Sequence, residues 1–175
     1  MRRPTVPFFA ALFASLLLFC ALKSDPKGPR EGDMAPEIRM PNAIGDTLKL
    51  SSLKGHVVLV HFWASWCVHC REESRSIVDI SHKYYDKKFK TGKGLIILYV
   101  SLDDNKSSWI KAIHQDELSM KYNVSDLKGW KNFAVQTYNV STIPCNYLVD
   151  GEGKIISQGE NMTLIEQDLR DEMAK

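Results

Sequence analysis

The residues best suited to chemistry in this sequence are two cysteines with two residues between them, Cys67 and Cys70. This spacing lets the two sulfur atoms meet in a small ring across the first turn of a helix. A ring of that size constrains the unfolded chain little, so the pair is better suited to reversible oxidation and reduction than to a structural cross-link. A metal centre would need further ligands, and the other cysteines, Cys20 and Cys145, are isolated. The pattern predicts a redox-active Cys67–Cys70 disulfide and no metal.

The elements predicted around this pair give its two sulfurs different roles. Residues 57–62 form an apolar, β-branched run that predicts a buried strand, and the chain from Cys67 to about Phe89 predicts a helix. A helix N-terminus presents unpaired N–H groups and a partial positive charge, which favour the thiolate of Cys67. We therefore expect Cys67 to attack or be attacked, and Cys70 to resolve the mixed disulfide.

The order of the remaining elements predicts a single α/β domain. A second buried strand over 95–100 follows the long helix, which implies parallel pairing through a right-handed crossover. The turn signal at 150–153 predicts an antiparallel hairpin. Other predicted elements are short strands at 38–40 and 47–50, helices at 107–115 and 129–138, and a last helix at 163–173 with Thr163 and Glu166 as its capping box. The result is a mixed central sheet with helices on both faces and an extra N-terminal β-hairpin.

The N-terminus has the pattern of an export signal. Arg2 and Arg3 precede an uncharged apolar run over residues 8–22, which is shorter than the roughly 20 residues of a membrane span. We expect 1–22 to be a signal peptide or membrane anchor, 23–33 a linker rich in Pro and Gly, and 34–175 the folded domain. Cys20 resembles a lipoprotein processing site, with removal of the segment or an uncleaved anchor as alternatives. Each alternative places the domain in the cell envelope, on the periplasmic or extracytoplasmic side, either membrane-anchored or secreted.

The charge balance argues against a nucleic-acid partner. The chain has 23 basic and 21 acidic side chains, and two of the basic ones are Arg2 and Arg3 at the extreme N-terminus. The rest of the chain is therefore close to neutral and gives no sign of a basic face. We expect a monomer.

Three stretches of the sequence resemble a known superfamily. Residues 62–70, Phe-Trp-Ala-Ser-Trp-Cys-Val-His-Cys, resemble the active-site signature of the thioredoxin superfamily, and Thr142-Ile143-Pro144 resembles its cis-proline loop. Residues 32–36 and 53–55 resemble the N-terminal segment of the TlpA/ResA/DsbE group, which are membrane-tethered envelope reductases and cytochrome c maturation proteins. The resemblance covers residue 32 to the C-terminus. It implies a thioredoxin-like fold, exchange with protein thiols and disulfides, no bound cofactor, and a membrane thiol reductase as electron donor.

The same resemblance implies roles for residues around the pair. Ile143 and Pro144 would present backbone to a substrate chain, and Trp66 would form an aromatic wall. Glu73 would tune the protonation of the two thiols, although Glu72 is adjacent and only one of the two can face the site. A solvated pair on the helix surface is the alternative for these two glutamates.

Two histidines occupy positions that matter for redox chemistry in the superfamily. His69 lies between the cysteines, where an imidazole would favour the Cys67 thiolate and make the disulfide more oxidising; an inert surface residue is the alternative. His61 stands where such proteins often hold a buried acid that shuttles a proton to the second cysteine, and a hydrogen-bonded core histidine is its alternative. Cys145 directly follows Pro144, so a third redox role and simple packing both stay open.

The direction of electron flow is the main question that the sequence leaves open. The family resemblance favours a reductase, whereas His69 favours a disulfide oxidase or isomerase. A peroxiredoxin-like peroxidase would share the fold, but peroxidatic cysteines usually lack a partner three residues on. A non-catalytic binding module is the remaining alternative.

Overall fold

The computed structural model of the protein describes residues 28–174. The predicted signal or anchor segment with Cys20, and the start of the predicted linker, lie outside the described residues. Within 28–174, no helix has both the length and the apolar character needed to cross a membrane.

The described residues form a mixed five-stranded sheet, two small hairpins and four α-helices. The elements are β1 (Arg39–Pro41), β2 (Thr47–Lys49), β3 (Val57–Trp63), α1 (Val68–Tyr84), β4 (Lys88–Phe89), β5 (Gly92–Lys93), β6 (Leu95–Ser101), α2 (Lys106–Gln115), β7 (Asn123–Val124), α3 (Phe133–Tyr138), β8 (Cys145–Val149), β9 (Ile155–Gly159) and α4 (Met162–Asp171). The main sheet has the order β7-β6-β3-β8-β9, with β6 parallel to β3 and β7, and β8 antiparallel to β3 and β9. The predicted thioredoxin-like fold and N-terminal hairpin β1–β2 are confirmed.

The central strand β3 is buried along its whole length and organises the core. Its side chains alternate between the two faces of the sheet. Phe62 faces α3, where its ring lies 5.4 Å from that of Tyr138. His61 faces the opposite side, which α1 and α4 cover together. Tyr84 of α1 donates a hydrogen bond to Glu166 of α4 on that side. Helices thus pack on both faces, as the sequence predicts.

The helix after the cysteine pair is shorter than the sequence predicts. It ends at Tyr84 instead of near Phe89, and the following residues form the small hairpin β4–β5. Phe89 is buried there beside Tyr84, with ring centroids 6.4 Å apart. A continued helix would have carried Phe89 away from this contact. The apolar residues at helical spacing on the buried face, Ile77, Ile80 and Tyr84, also stop there.

Two other predicted helices differ in detail. The stretch 129–138 divides into a single 3-10 turn, Gly129–Lys131, and helix α3, because Asn132 adopts an extended conformation and caps α3 through the amide of Ala134. The last helix begins one residue earlier than predicted, at Met162, and its N-cap is Asn161 instead of Thr163. The predicted capping box is wrong because Glu166 binds Lys83 and Tyr84 on α1.

The described part of the predicted linker already contacts the domain. The amide of Gly32 donates to the carbonyl of Ile155, and the amide of Ile155 donates to the carbonyl of Asp33, both at 2.9 Å. Met34 forms a further antiparallel bridge with Lys154. Residues 32–34 therefore extend the β8–β9 side of the sheet.

Candidate active site

The two cysteines lie where β3 ends and α1 begins, and they form a disulfide with Cα atoms 5.2 Å apart. Cys67 is the N-cap of α1, and its sulfur accepts a hydrogen bond from the amide of Cys70 at 3.1 Å. Cys67 retains 9% of its accessible surface, whereas Cys70 retains none. A substrate sulfur can therefore reach Cys67 first. Cys67 thus lies at the helix N-terminus, as the sequence predicts, and this position favours its thiolate form.

The loop before β8 faces the disulfide. The sulfur of Cys67 lies 3.9 Å from the carbonyl oxygen of Ile143. The peptide bond between Ile143 and Pro144 is cis, and both residues are partly exposed. The loop thus brings backbone beside the reactive sulfur. Its use in substrate binding stays a prediction.

His61 and Glu73 are linked by a residue that sequence reasoning missed. Nδ1 of His61 lies 2.7 Å from Oδ1 of Asn146, and Nδ2 of Asn146 donates to Oε1 of Glu73 at 3.1 Å. His61 and Asn146 are fully buried. The signal that could have identified Asn146 is a polar residue two positions after the predicted cis-proline, inside an otherwise apolar strand.

Burial shifts the pKa values of both ionisable groups in this chain of contacts. Desolvation lowers the pKa of His61 to about 4, and the hydrogen bond to Asn146 opposes part of that shift. Desolvation raises the pKa of Glu73 above its ordinary value, the bond from Asn146 opposes it, and the charge of Glu160 adds to it. His61 is therefore neutral at pH 7, and Glu73 binds a proton more tightly than a free glutamate does.

The structure separates the two adjacent glutamates. Glu73 faces inward to Asn146, whereas Glu72 faces solvent, where its Oε2 lies 3.4 Å from Nδ1 of His69. The His69 side chain is 87% exposed. Trp66 is also exposed and lies on the rim of the site beside Cys67. The roles of His69 and Trp66 in redox tuning stay predictions.

A buried carboxylate supports the loop that carries Cys67. Asp103, just after β6, accepts hydrogen bonds from the amide and hydroxyl of Ser65 and from the hydroxyl of Ser101. Sequence reasoning missed Asp103. A usable signal existed, because the carboxyl ends of parallel strands meet at one edge of a sheet and polar residues there tend to serve the site.

Arg71 holds the same loop from the helix side. Its guanidinium makes a two-pronged contact with the carboxylate of Asp116, which follows α2, and lies 3.5 Å from the carbonyl oxygen of Ser65. Bidentate geometry of this kind fixes orientation as well as charge. The contact fastens the first turn of α1 to the end of α2.

Cys145 is a free, partly buried thiol next to Pro144. Burial, with the nearby charge of Glu160 as the second cause, raises the pKa of Cys145 to about 11. A thiol with such a pKa is a poor nucleophile at neutral pH.

Comparison with known proteins gives a consistent picture. The model of the AhpC/TSA family matches residues 31–158. Thiol-disulfide oxidoreductase ResA of Bacillus subtilis (strain 168) is 28% identical over 149 residues, which cover 81% of this chain and 78% of that protein. Among solved structures, a thiol-disulfide oxidoreductase from Bacteroides fragilis NCTC 9343 is 28% identical, with a TM-score of 0.70 over 79% of this chain and 98% of that chain. The thioredoxin domain of a thiol-disulfide oxidoreductase from Bacteroides vulgatus is also 28% identical, with a TM-score of 0.72 over 83% and 99%.

Proposed function

The chain belongs to the AhpC/TSA family, and we propose that it is a thiol–disulfide oxidoreductase that reduces disulfides of protein substrates in the bacterial cell envelope. The observation that carries the activity is the Cys67–Cys70 disulfide at the start of α1, with the Ile143 carbonyl oxygen 3.9 Å from the Cys67 sulfur. In the reducing direction, the Cys67 thiolate attacks a substrate disulfide. Cys70 then displaces the substrate from the mixed disulfide.

The direction of electron flow is part of the proposal. The named relatives are oxidoreductases, and that word covers both directions. A measured reduction potential for the pair decides between them, because about −270 mV is thioredoxin-like and about −120 mV is strongly oxidising. We expect a value in the reducing half of this range. An oxidising value would reassign the protein as a disulfide oxidase or isomerase.

The activity itself is tested by equilibrating the full chain with mixtures of reduced and oxidised glutathione. We expect one reversible dithiol–disulfide transition, which Cys67→Ser abolishes. Cys70→Ala should instead accumulate a mixed disulfide between Cys67 and glutathione. When it is produced in cells, the same variant should retain client proteins on Cys67, which mass spectrometry identifies. A pair that cannot be oxidised and reduced reversibly would refute the assignment.

Peroxide reduction is the alternative chemistry for a protein of this fold. Cys67 forms a disulfide with Cys70, three positions on, and peroxidatic cysteines usually lack a partner at that spacing. Turnover of hydrogen peroxide by the wild-type protein, lost in Cys67→Ser and retained in Cys70→Ala, would support the peroxidase instead.

The setting of the reaction is proposed from the N-terminal sequence. Residues 1–22 would export the protein or tether it, with residue Cys20 as a lipidation site, and a membrane thiol reductase would return electrons to the pair. A role in cytochrome c maturation and a monomeric state belong to the same proposal. Cell fractionation with and without residues 1–22 tests the tether, and mass spectrometry of the mature N-terminus reveals any lipid on Cys20.

A further inference from the structure

Glu160, which directly follows β9, lies beside the loop that faces the reactive sulfur. Its Oε1 accepts a hydrogen bond from the hydroxyl of Thr142 at 2.7 Å, and Thr142 directly precedes Ile143 in the chain. The carbonyl oxygen of Ile143 lies 3.9 Å from the sulfur of Cys67. The same loop thus holds the Glu160 carboxylate and brings backbone to Cys67.

The charge of Glu160 acts on groups on two sides of this loop. Burial is the main cause of the raised pKa of Cys145, which follows Pro144, and the charge of Glu160 adds to it. Burial is also the main cause of the raised pKa of Glu73 on α1, and the charge of Glu160 adds to that shift as well. The carboxylate therefore lies near both the loop and the helix that begins at the disulfide.

The fold positions this carboxylate without neutralising it. Glu160 is exposed, and no Lys, Arg or His side chain within residues 28–174 forms an ion pair with it. Its Oε2 makes no hydrogen bond within the same part of the chain, since the bond from the threonine goes to Oε1. By contrast, the guanidinium of Arg71 on α1 is paired with Asp116. Glu160 can therefore accept a cation from outside the protein.

A surface hollow connects Glu160 with the loop. The hollow has a volume of about 300 Å³, and Thr142, Cys145 and Glu160 are among the residues that line it. A client chain that binds the backbone of Ile143 can continue past Thr142 into this hollow. A side chain close to the client cysteine then reaches the Glu160 carboxylate.

We propose that Glu160 is a specificity-determining residue, which selects clients with a Lys or Arg side chain close to the cysteine that Cys67 attacks. This inference rests on the proposed oxidoreductase function and names the class of its substrates. Pairs between exposed charges are weak, so we expect a preference of about two- to fivefold for a cation. An acidic client side chain in the same place is repelled, which adds to the discrimination.

Small disulfides of different charge test this preference. Cystamine carries two ammonium groups, bis(2-hydroxyethyl) disulfide is neutral, and dithionitrobenzoate carries two carboxylates and releases coloured thionitrobenzoate. The Cys67 thiolate attacks one sulfur of the probe, and the other sulfur leaves with the bonding electron pair. Cys70 loses its proton and displaces the second probe sulfur, so the enzyme dithiol is oxidised to a disulfide and the probe is reduced to two thiols.

The measured quantity is the rate of attack by Cys67 on each charged probe, divided by the rate on the neutral probe. All proteins are the full chain with Cys20→Ser and Cys145→Ser, so that only the reactive pair is followed. The test variant is Glu160→Gln, which keeps an oxygen for Thr142 and removes the charge. A change in the general reactivity of Cys67 moves all three rates together and cancels in the ratios.

We expect Glu160→Gln to lower the cystamine ratio about two- to fivefold and to raise the dithionitrobenzoate ratio by a similar factor. Salt at 1 M should reduce the difference between the two proteins, because the screening length is then only about 3 Å. Unchanged ratios in Glu160→Gln would overturn the inference. A difference that persists in full at 1 M salt would also overturn it, since its origin would not be the charge.

Two further variants sharpen the test. Glu152→Gln is the matched control, because Glu152 is an exposed carboxylate in the turn between β8 and β9, at the opposite end of that hairpin from Glu160. It should leave both ratios unchanged. Glu160→Lys reverses the charge and should favour dithionitrobenzoate over cystamine relative to the parent protein; ratios that do not reverse in this direction would refute the inference. A parent protein that reduces none of the three probes would instead refute the proposed function, and the inference with it.

Discussion

The carboxylate of Asp103 accepts a hydrogen bond from the backbone amide of Ser65 at 3.0 Å, and this contact ties the end of β6 to the loop that carries Cys67. The hydroxyls of Ser65 and Ser101 donate to the same carboxylate, which is buried. The position of the nucleophilic sulfur therefore depends on a residue that follows the neighbouring strand.

Asp103→Asn should destabilise the protein and slow disulfide exchange. The new NH2 group faces hydrogen-bond donors, so at least one buried polar group loses its partner, at a cost of about 1–3 kcal/mol. Urea unfolding measures the stability, and thionitrobenzoate release measures the exchange rate. The exposed neighbour provides the control, since Asp104→Asn should change the free energy of unfolding by less than about 0.5 kcal/mol. Equal effects of the two substitutions would contradict the role of Asp103.

His69→Pro should make the pair more reducing. His69 is the second residue of α1, where a backbone N–H has no partner within the helix, so proline fits there. The sequence predicts that the imidazole favours the Cys67 thiolate, so its loss should destabilise the reduced form. We expect the potential to fall by about 30 mV for each 1.4 kcal/mol lost.

His69→Gln separates the effect of the imidazole from the effect of proline on the backbone. It removes the imidazole without restricting the helix, so the potential of the pair should fall in this variant too. Equilibration with glutathione gives all three potentials. An unchanged potential in both variants would assign His69 to the inert surface, and a higher potential would contradict its predicted role.

His61 should make the protein sensitive to acid. Its pKa is about 4 in the fold, below the 6.5 of an unperturbed histidine, so the unfolded chain binds more protons between these values. The contribution of neutral His61 to the free energy of unfolding is therefore fully present above pH 6.5. It is lost as the pH falls toward 4, and it amounts to on the order of 3 kcal/mol. Urea unfolding of His61→Leu should depend less on pH in this window, at a lower overall stability. The exposed substitution His82→Gln should retain the wild-type slope, and a wild-type slope in His61→Leu would count against this origin.

Glu73 should act in the opposite sense. Its pKa is raised in the fold, so the folded chain binds more protons from the unfolded pKa of 4.5 upward, and its contribution is lost as the pH rises through the folded value. Glu73→Gln keeps an oxygen for Asn146 and cannot ionise. We expect the difference in free energy of unfolding between this variant and the wild type to shift in favour of the variant when the pH rises from 4 to 7. Urea unfolding at both pH values measures this difference. Glu72→Gln, on the solvent side, should differ from the wild type by less than about 0.5 kcal/mol at either pH.

Cys145 should resist alkylation at neutral pH. A pKa of about 11 leaves roughly one thiol in ten thousand ionised at pH 7, about a hundredfold fewer than at the ordinary value of 9.0. Iodoacetamide labelling of the reduced protein, located by mass spectrometry, should modify Cys67 long before Cys145. Glu160→Gln removes a charge that raises the Cys145 pKa and should speed its labelling. Rapid labelling of Cys145 in the wild type would reopen its redox role.

The reactive pair and most of the strands and helices around it could be predicted from local features of the sequence. Cys67 and Cys70 are one helical turn apart, and an apolar run before them predicts the buried strand, so their chemistry follows from local spacing. The parallel β3–β6 pair and the C-terminal hairpin also follow, because a crossover helix and a glycine-rich turn are local features. Helix boundaries were predicted less well: α1 ends at Tyr84, which contacts the distant Glu166, and α4 is capped by Asn161, two residues before the predicted cap.

Which polar residues lie near the pair depends on how distant parts of the chain pack together. Glu73 and Glu72 are adjacent in sequence, and the packing of α1 on the sheet turns one inward and the other to solvent. Asn146 meets Glu73 across 73 positions and His61 across 85. Strand register and helix packing fix such contacts, and these arise when apolar surfaces from the whole chain are buried together. A local pattern of residue types does not carry that information.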